Sequence, residues 1–207
     1  MSIPREVLAA YGFEGATVET LSGGLINSSY CVRGGEGEPL AAVQRLHPIF
    51  GAELHHDIQA ITDLLDEAGL VTPRLLEPSG GGLWIEHEGK VWRAMTWIDG
   101  ECVHRIDSPA RAEAGAQLVA RFHRALEGAN HDFHFARAGV HDTEKHLATL
   151  REQRAPLDSE WGADADALRS EILAAASDAP PLPPTRKRIC HGDLKISNLL
   201  FDRSGGG

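Results

Sequence analysis

Leu54, Ile58, Ile61, Leu64 and Leu65 recur at three- and four-residue intervals. That period lines one stripe of a helix, and the spacing predicts a helix over 52–70 in which Gly69 supplies a left-handed residue at the C-terminal end. Ahead of it the pattern shortens. "TVETLSGGLINSSYCVRG" holds two strand segments around Ser22-Gly23-Gly24, and "PLAAVQRLHP" forms a third, closed by Pro48. Beyond the helix, "GGGLWIEHEGKVWRAMTWI" predicts a hairpin turning at Glu88-Gly89-Lys90. Residues 16–98 therefore read as β-β-β-α-β-β, an antiparallel sheet with one helix laid on it.

"IDGECVHRIDSP" reads as a loop and marks a domain boundary, and from Ala110 the character turns helical. Ser108 suits an N-cap with Pro109 at the first helical position. Leu118, Phe122 and Leu126 are spaced by four, and Val119 widens the stripe. Two more helices are predicted over about 143–154 and 163–177. "DAPPLPPTRKR" then breaks the pattern, and a short strand is expected to lead into "ICHGDLKISNLLFD". The fold class is α+β, with an N-terminal lobe over 1–98 and a mostly helical second part over 99–207.

Composition changes this picture little. At 207 residues and 42% hydrophobic content the chain can bury a real core. It has no apolar run long enough to span a bilayer and no signal-peptide pattern at its start. Cys31, Cys102 and Cys190 form neither a metal pattern nor an even disulfide set, so the expected location is cytoplasmic. A net charge of −10 argues against nucleic acid as a partner. The expected partner is a small molecule, and no membrane surface is called for.

Chemistry concentrates late in the chain. His191-Gly192-Asp193-Leu194-Lys195-Ile196-Ser197-Asn198 matches the phosphoryl-transfer loop H-R-D-L-x-x-x-N, with glycine in place of arginine. Such transfer needs a carboxylate to orient and deprotonate the attacking hydroxyl, oxygen ligands for magnesium, and cations along the phosphates. Asp193 is the candidate base and Asn198 the candidate metal ligand, five residues on.

"HGDLKISNLLFD" resembles the catalytic loop of the aminoglycoside phosphotransferase and choline kinase superfamily, small-molecule kinases with a protein-kinase-like fold. The resemblance implies ATP and Mg2+ as cofactors, Asp193 and Lys195 in the catalytic loop, and His191 as its support. "SGGLINSSY" resembles the family's nucleotide loop, where Gly23, Gly24 and Asn27 would lie against phosphate. "AAVQRLHP" sits where a strand should carry the phosphate-binding cation, but a plain lysine is absent. Gln44 and Arg45 face opposite sides of a strand, so only one of them can reach ATP. Glu53 and Asp57 are candidate acidic partners for that cation, or a solvated helix face. "RAMTWIDG" resembles the hinge, whose backbone at Thr96, Trp97 and Ile98 would bind adenine, and His123 in the following helix reads as structural.

Within the superfamily, "GGLIN", "AVQRLHPIF" and the catalytic loop most resemble N-acetylhexosamine 1-kinases and related sugar kinases. A sugar hydroxyl is the expected acceptor, with choline, aminoglycoside or homoserine kinases and a non-catalytic nucleotide-binding module as alternatives. A second magnesium-binding acid is expected after the loop, yet the chain closes with "FDRSGGG"; Asp202 lies at the end of the strand leaving the loop and reads as a turn residue. The expectation is a C-terminally truncated kinase with negligible turnover, prone to associate through apolar surface left uncovered. A rival zinc reading rests on His131, His134, His141 and His146, which lack the H-E-x-x-H arrangement.

Overall fold

The computed structural model describes residues 2–22, 26–154, 159–181 and 183–203. They fall into two compact units, Met1–Phe135 with Arg188–Gly207, and Ala136–Lys187.

In the first unit, a short helix α1 (Arg5–Ala10) precedes strands β1 (Thr17–Leu21), β2 (Ser28–Arg33) and β3 (Pro39–Arg45). Helix α2 (Leu54–Glu67) follows, then β4 (Leu75–Leu76), β5 (Ile85–His87) and β6 (Lys90–Thr96). The sheet order is β1-β2-β3-β6-β4, with β5 also paired to β6, and its pairings are antiparallel. The expected N-terminal sheet with a helix laid on it is present. The β5–β6 turn falls at Glu88-Gly89, both with positive φ, as a two-residue hairpin between right-twisted strands requires. Gly69, with φ +70°, follows the end of α2, and its N–H donates to the Asp66 carbonyl.

Strand alternation sorts the sheet's two faces. Tyr30, Val32, Val43, Trp92 and Ala94 pack with Ile3 and Val7 into one core. Helix α1 was not anticipated. Its signal is the four-residue step from Ile3 to Val7, whose side chains are 5% and 0% exposed. Residues of opposite parity, Gln44 on β3 and Arg93 on β6, face away from this core and sit directly opposite one another in register.

After a two-residue strand β7 (Glu101–Cys102), helix α3 (Pro109–Ala125) starts as anticipated, with the Ser108 hydroxyl accepting from Arg111 N–H. Leu118 and Phe122 of α3 pack with Leu65, Leu70 and Leu126 in a second core. The short strand expected before the catalytic loop is not formed. Residues 183–190 carry no regular element, whereas the strand expected to leave the loop is formed: β8 (Leu200–Phe201) ends just before Asp202 and pairs with β7. The prolines at 180, 181, 183 and 184 lack the N–H a ladder needs, whereas Leu200 and Phe201 can supply it.

The second unit holds helices α4 (Thr143–Glu152) and α5 (Gly162–Asp178), close to their anticipated spans. Asp142 caps α4 through Lys145 N–H, and Arg169 donates to the carbonyls of Leu150 and Arg151 near its C-terminus.

Candidate active site

The segment from His191 to Phe201 is held by its apolar residues. Leu199, Phe201 and Ile196 close around Gly115 of α3, where an added Cβ would stand 3.3 Å from Leu199 Cδ1. Phe201 is fully buried, and the Arg111 guanidinium lies over its ring, 5.6 Å from the centroid. The thiol of Cys102 donates to the Ser197 carbonyl at 3.0 Å. These contacts anchor the exposed polar residues of the loop to rigid elements.

Asp193 and Asn198 meet. The Asn198 carboxamide nitrogen donates to the Asp193 carbonyl at 2.8 Å and to its carboxylate at 3.0 Å. Both partners are acceptors, so the amide must turn its NH2 toward them, leaving Oδ1 as the outward ligand atom. A 3-10 turn over Ile196–Asn198 brings the two residues together. Lys195 Nζ lies 3.7 Å from the same carboxylate. His191 Nδ1 accepts the Asp193 N–H at 3.3 Å, while its ring packs edge-on against Phe122 at 5.6 Å. Gly192 between them has φ +78°, a conformation that resists most side chains.

A cavity of about 410 Å³ opens beside the loop, lined among others by Leu65, Leu70, Ile98, Phe122, His191 and Asn198. Ile98, of the hinge candidates, reaches it. Thr96 is engaged otherwise: its N–H donates to the Arg74 carbonyl and its hydroxyl accepts from Arg74 N–H, so Thr96 closes the sheet. Trp97 Nε1 is buried and has no hydrogen-bond partner among the described residues.

Gly23 and Gly24 lie outside the described residues. Asn27 turns back on the sheet, its Oδ1 accepting from His47 N–H at 2.9 Å. Arg45 donates to the Ser28 hydroxyl at 3.0 Å and lines a smaller cavity of about 310 Å³ with Ile26, His47 and Lys90. Gln44, on the other face, accepts from Arg93 Nε at 2.9 Å and NH2 at 2.7 Å, and donates to the Ser29 hydroxyl at 2.9 Å.

The expectation that Asp57 partners the β3 cation is corrected. Its carboxylate accepts from His131 Nε2 (2.8 Å), His134 N–H (2.9 Å), His134 Nδ1 (3.0 Å) and Phe135 N–H (3.0 Å). Burial alone would raise its pKa, but these donors together bring it down to about 2. Glu53 stands at the N-cap of α2 with an exposed side chain. The ligand atoms of Asp57, His131 and His134 lie within 4.8 Å of one another, the grouping among the described residues with metal-ligand geometry. His141 and His146 do not join it. The Asp57 oxygens are already occupied by N–H donors, so the cluster ties α2 to the segment after α3.

Arg93 was not anticipated as a site residue. Its signal was a charge at mid-strand in "KVWRAMT", between positions that alternate into the core.

A model of the phosphotransferase enzyme family matches residues 17–207, which contain the loop and the sheet together. The chain belongs to the phosphotransferase enzyme family. No curated protein matches the chain. Among solved structures, an aminoglycoside phosphotransferase from Alicyclobacillus acidocaldarius is similar at TM-score 0.58 and 17% identity, over 99% of this chain and 64% of that one. Spectinomycin phosphotransferase APH(9)-Ia, in complex with ADP and spectinomycin, gives 0.59 at 13%, over 96% and 64%. Amicoumacin kinase hAmiN, in complex with AMP-PNP, Ca2+ and its ligand, gives 0.54 at 13%, over 80% and 49%. These likenesses show a kinase-like α+β fold. The chain spans less than two thirds of the length of these structures. Among the described residues no helix is long and apolar enough to cross a membrane.

Proposed function

We propose that this phosphotransferase transfers the γ-phosphoryl group of ATP to a hydroxyl of a small molecule, a sugar such as an N-acetylhexosamine. The observation that carries the reading is the Asp193–Asn198 pair, joined at 3.0 Å on one exposed loop. Its carboxylate is open to a substrate hydroxyl and its amide oxygen faces outward. Asp193 orients the acceptor hydroxyl and takes its proton as the oxygen bonds to phosphorus and ADP leaves. Lys195, beside that carboxylate, adds positive charge where the transferred group becomes most anionic.

One described residue has a donor atom of the kind the implied Mg2+ takes. Asn198 Oδ1 is a hard oxygen ligand suited to Mg2+, which offsets phosphate charge when bound. The small-molecule acceptor is supported by the neighbouring spectinomycin phosphotransferase and amicoumacin kinase. The sugar is supported by the combination of "GGLIN", "AVQRLHPIF" and "HGDLKISNLLFD".

The test is ADP release by the full-length gene product with Mg2+-ATP and a panel of N-acetylhexosamines, amino alcohols and aminoglycosides. Sugar-dependent ADP release with a phosphorylated sugar detected by mass spectrometry, lost in Asp193→Asn, is expected. Turnover on amino alcohols alone would replace the acceptor. Turnover that survives Asp193→Asn would remove the reading.

A further inference from the structure

A kinase nucleotide cleft needs a cation over the phosphates, which protein kinases place on the third strand and hold with an acid from the following helix. Among the described residues the third strand carries no lysine. The third strand ends Gln44-Arg45, and Asp57 of the following helix is committed to His131, His134 and Phe135. Arg45 shares its parity with Val43, which packs in the core with Val7 of α1.

The opposite face carries a polar row across three strands. In register, Ser29 lies opposite Gln44 and Gln44 opposite Arg93. Gln44 Oε1 takes two N–H groups of Arg93, while its amide nitrogen donates to Ser29, one residue beyond the start of β2. The row therefore runs from β6 across β3 to the start of β2. Helix α2 covers this face at His55, whose imidazole feels the Arg93 charge.

Arg93 is short of counter-charge. Among the described residues it makes no ion pair with a carboxylate, and its NH1 is shielded from water without a hydrogen-bond partner. The helix side offers a neutral imidazole, since burial lowers His55 to about 4. Burial likewise lowers Arg93, to about 10, still positive at neutral pH. A guanidinium withdrawn from water without an anion is costly unless an anion arrives. The planar fork suits phosphate oxygens, and two of its nitrogens are already fixed by Gln44.

We propose that Arg93 of β6 is the phosphate-binding cation of this kinase, taking the part of the third-strand lysine, with Gln44 as its positioning residue. This rests on the nucleotide reading above. It separates Gln44 from direct phosphate contact and leaves Arg45 outside the cleft.

The test is calorimetric binding of ATP, ADP and adenosine, with thermal melting of the unliganded protein, on the full-length gene product and on Arg93→Met, Gln44→Glu and Arg45→Gln. Arg93→Met is expected to weaken ATP and ADP at least tenfold while adenosine binding stays within twofold. Gln44→Glu neutralises Arg93 in place, so it should keep or raise the melting temperature and still weaken ATP at least tenfold. That outcome separates ligand binding from a purely structural role and stands if Arg93→Met does not fold. ATP affinity unchanged in both variants would overturn the proposal, as would equal losses for ATP and adenosine. If Arg45→Gln alone removes the phosphate-dependent affinity, the cation lies on the other face and the proposal falls. Absence of ATP binding by the unaltered protein would instead overturn the nucleotide reading itself.

Discussion

The Asn198 side-chain nitrogen spans Asp193, bonding its backbone carbonyl at 2.8 Å and its carboxylate at 3.0 Å. One amide thereby fixes both the backbone turn and the rotamer of the candidate base. Its two bonds predict that the residues act together. Asp193→Asn should lower kcat by about 10²–10⁴, the range for a positioned general base. Asn198→Ala should lower kcat to a similar extent and raise the Mg2+ concentration at half-maximal rate. The double variant should be little worse than either single one, because residues acting as a unit are not additive. Steady-state kinetics over a Mg2+ titration checks all three.

Gly192 and Gly115 support that geometry from below. Gly192 has φ +78°, so Gly192→Ala should cost about 1 kcal/mol of stability through backbone strain. Its effect on kcat should exceed its effect on stability, because the strained bond leads into Asp193. Gly115→Val places a branched side chain against Leu199 and Phe201. It should cost about 1–3 kcal/mol by overpacking. Thermal melting and turnover, measured on the same preparations, separate the two effects.

Asp57 is predicted to act on stability rather than on chemistry. Its pKa of about 2 lies below its ordinary 3.8, so its stabilisation is fully present above about pH 4 and is lost as pH falls through 2. The gap corresponds to about 2 kcal/mol. Asp57→Ala leaves the N–H groups of His134 and Phe135 without their acceptor and should cost about 2–4 kcal/mol. Urea unfolding at neutral and acid pH measures both, and an unchanged acid limb in Asp57→Ala would contradict the assignment.

His55 also costs stability as pH falls, over a higher range than Asp57. Its ring is fully buried, stacked on Trp84 at 5.2 Å, with Nδ1 donating to the Ala52 carbonyl at 2.6 Å. Burial, opposed by that bond and aided by the charges of Arg93 and His56, lowers its pKa from 6.5 to about 4. Between those values the unfolded chain takes up a proton that the folded chain refuses, so stability falls as pH drops from 6.5 toward 4. The loss is at most about 3 kcal/mol. His55→Phe should flatten this slope, as read from melting temperatures across pH 4–7.

Much of the molecule is legible in local pattern. The α2 stripe, the Ser108 cap and the Glu88-Gly89 turn each depend on residues a few positions apart, and all appear where their spacing places them. The Asp193–Asn198 pair is legible for the same reason: its five-residue separation lets one tight turn join the side chains. The partner of strand β8 was not legible, because its pairing with β7 joins Cys102 to Leu200, a contact that local pattern does not register.

The chain's order of residues alone determined that Asp193 and Asn198 would meet, and that Gln44 and Arg45 would occupy opposite faces, since both follow from backbone geometry over a few bonds. Only the tertiary structure decided which charges those faces would carry. Arg93 reaches Gln44 across 49 positions, and Asp57 is drawn to His131 across 74. Such pairings depend on strand register and helix docking, which are settled by burial of the whole core rather than by any neighbouring residue.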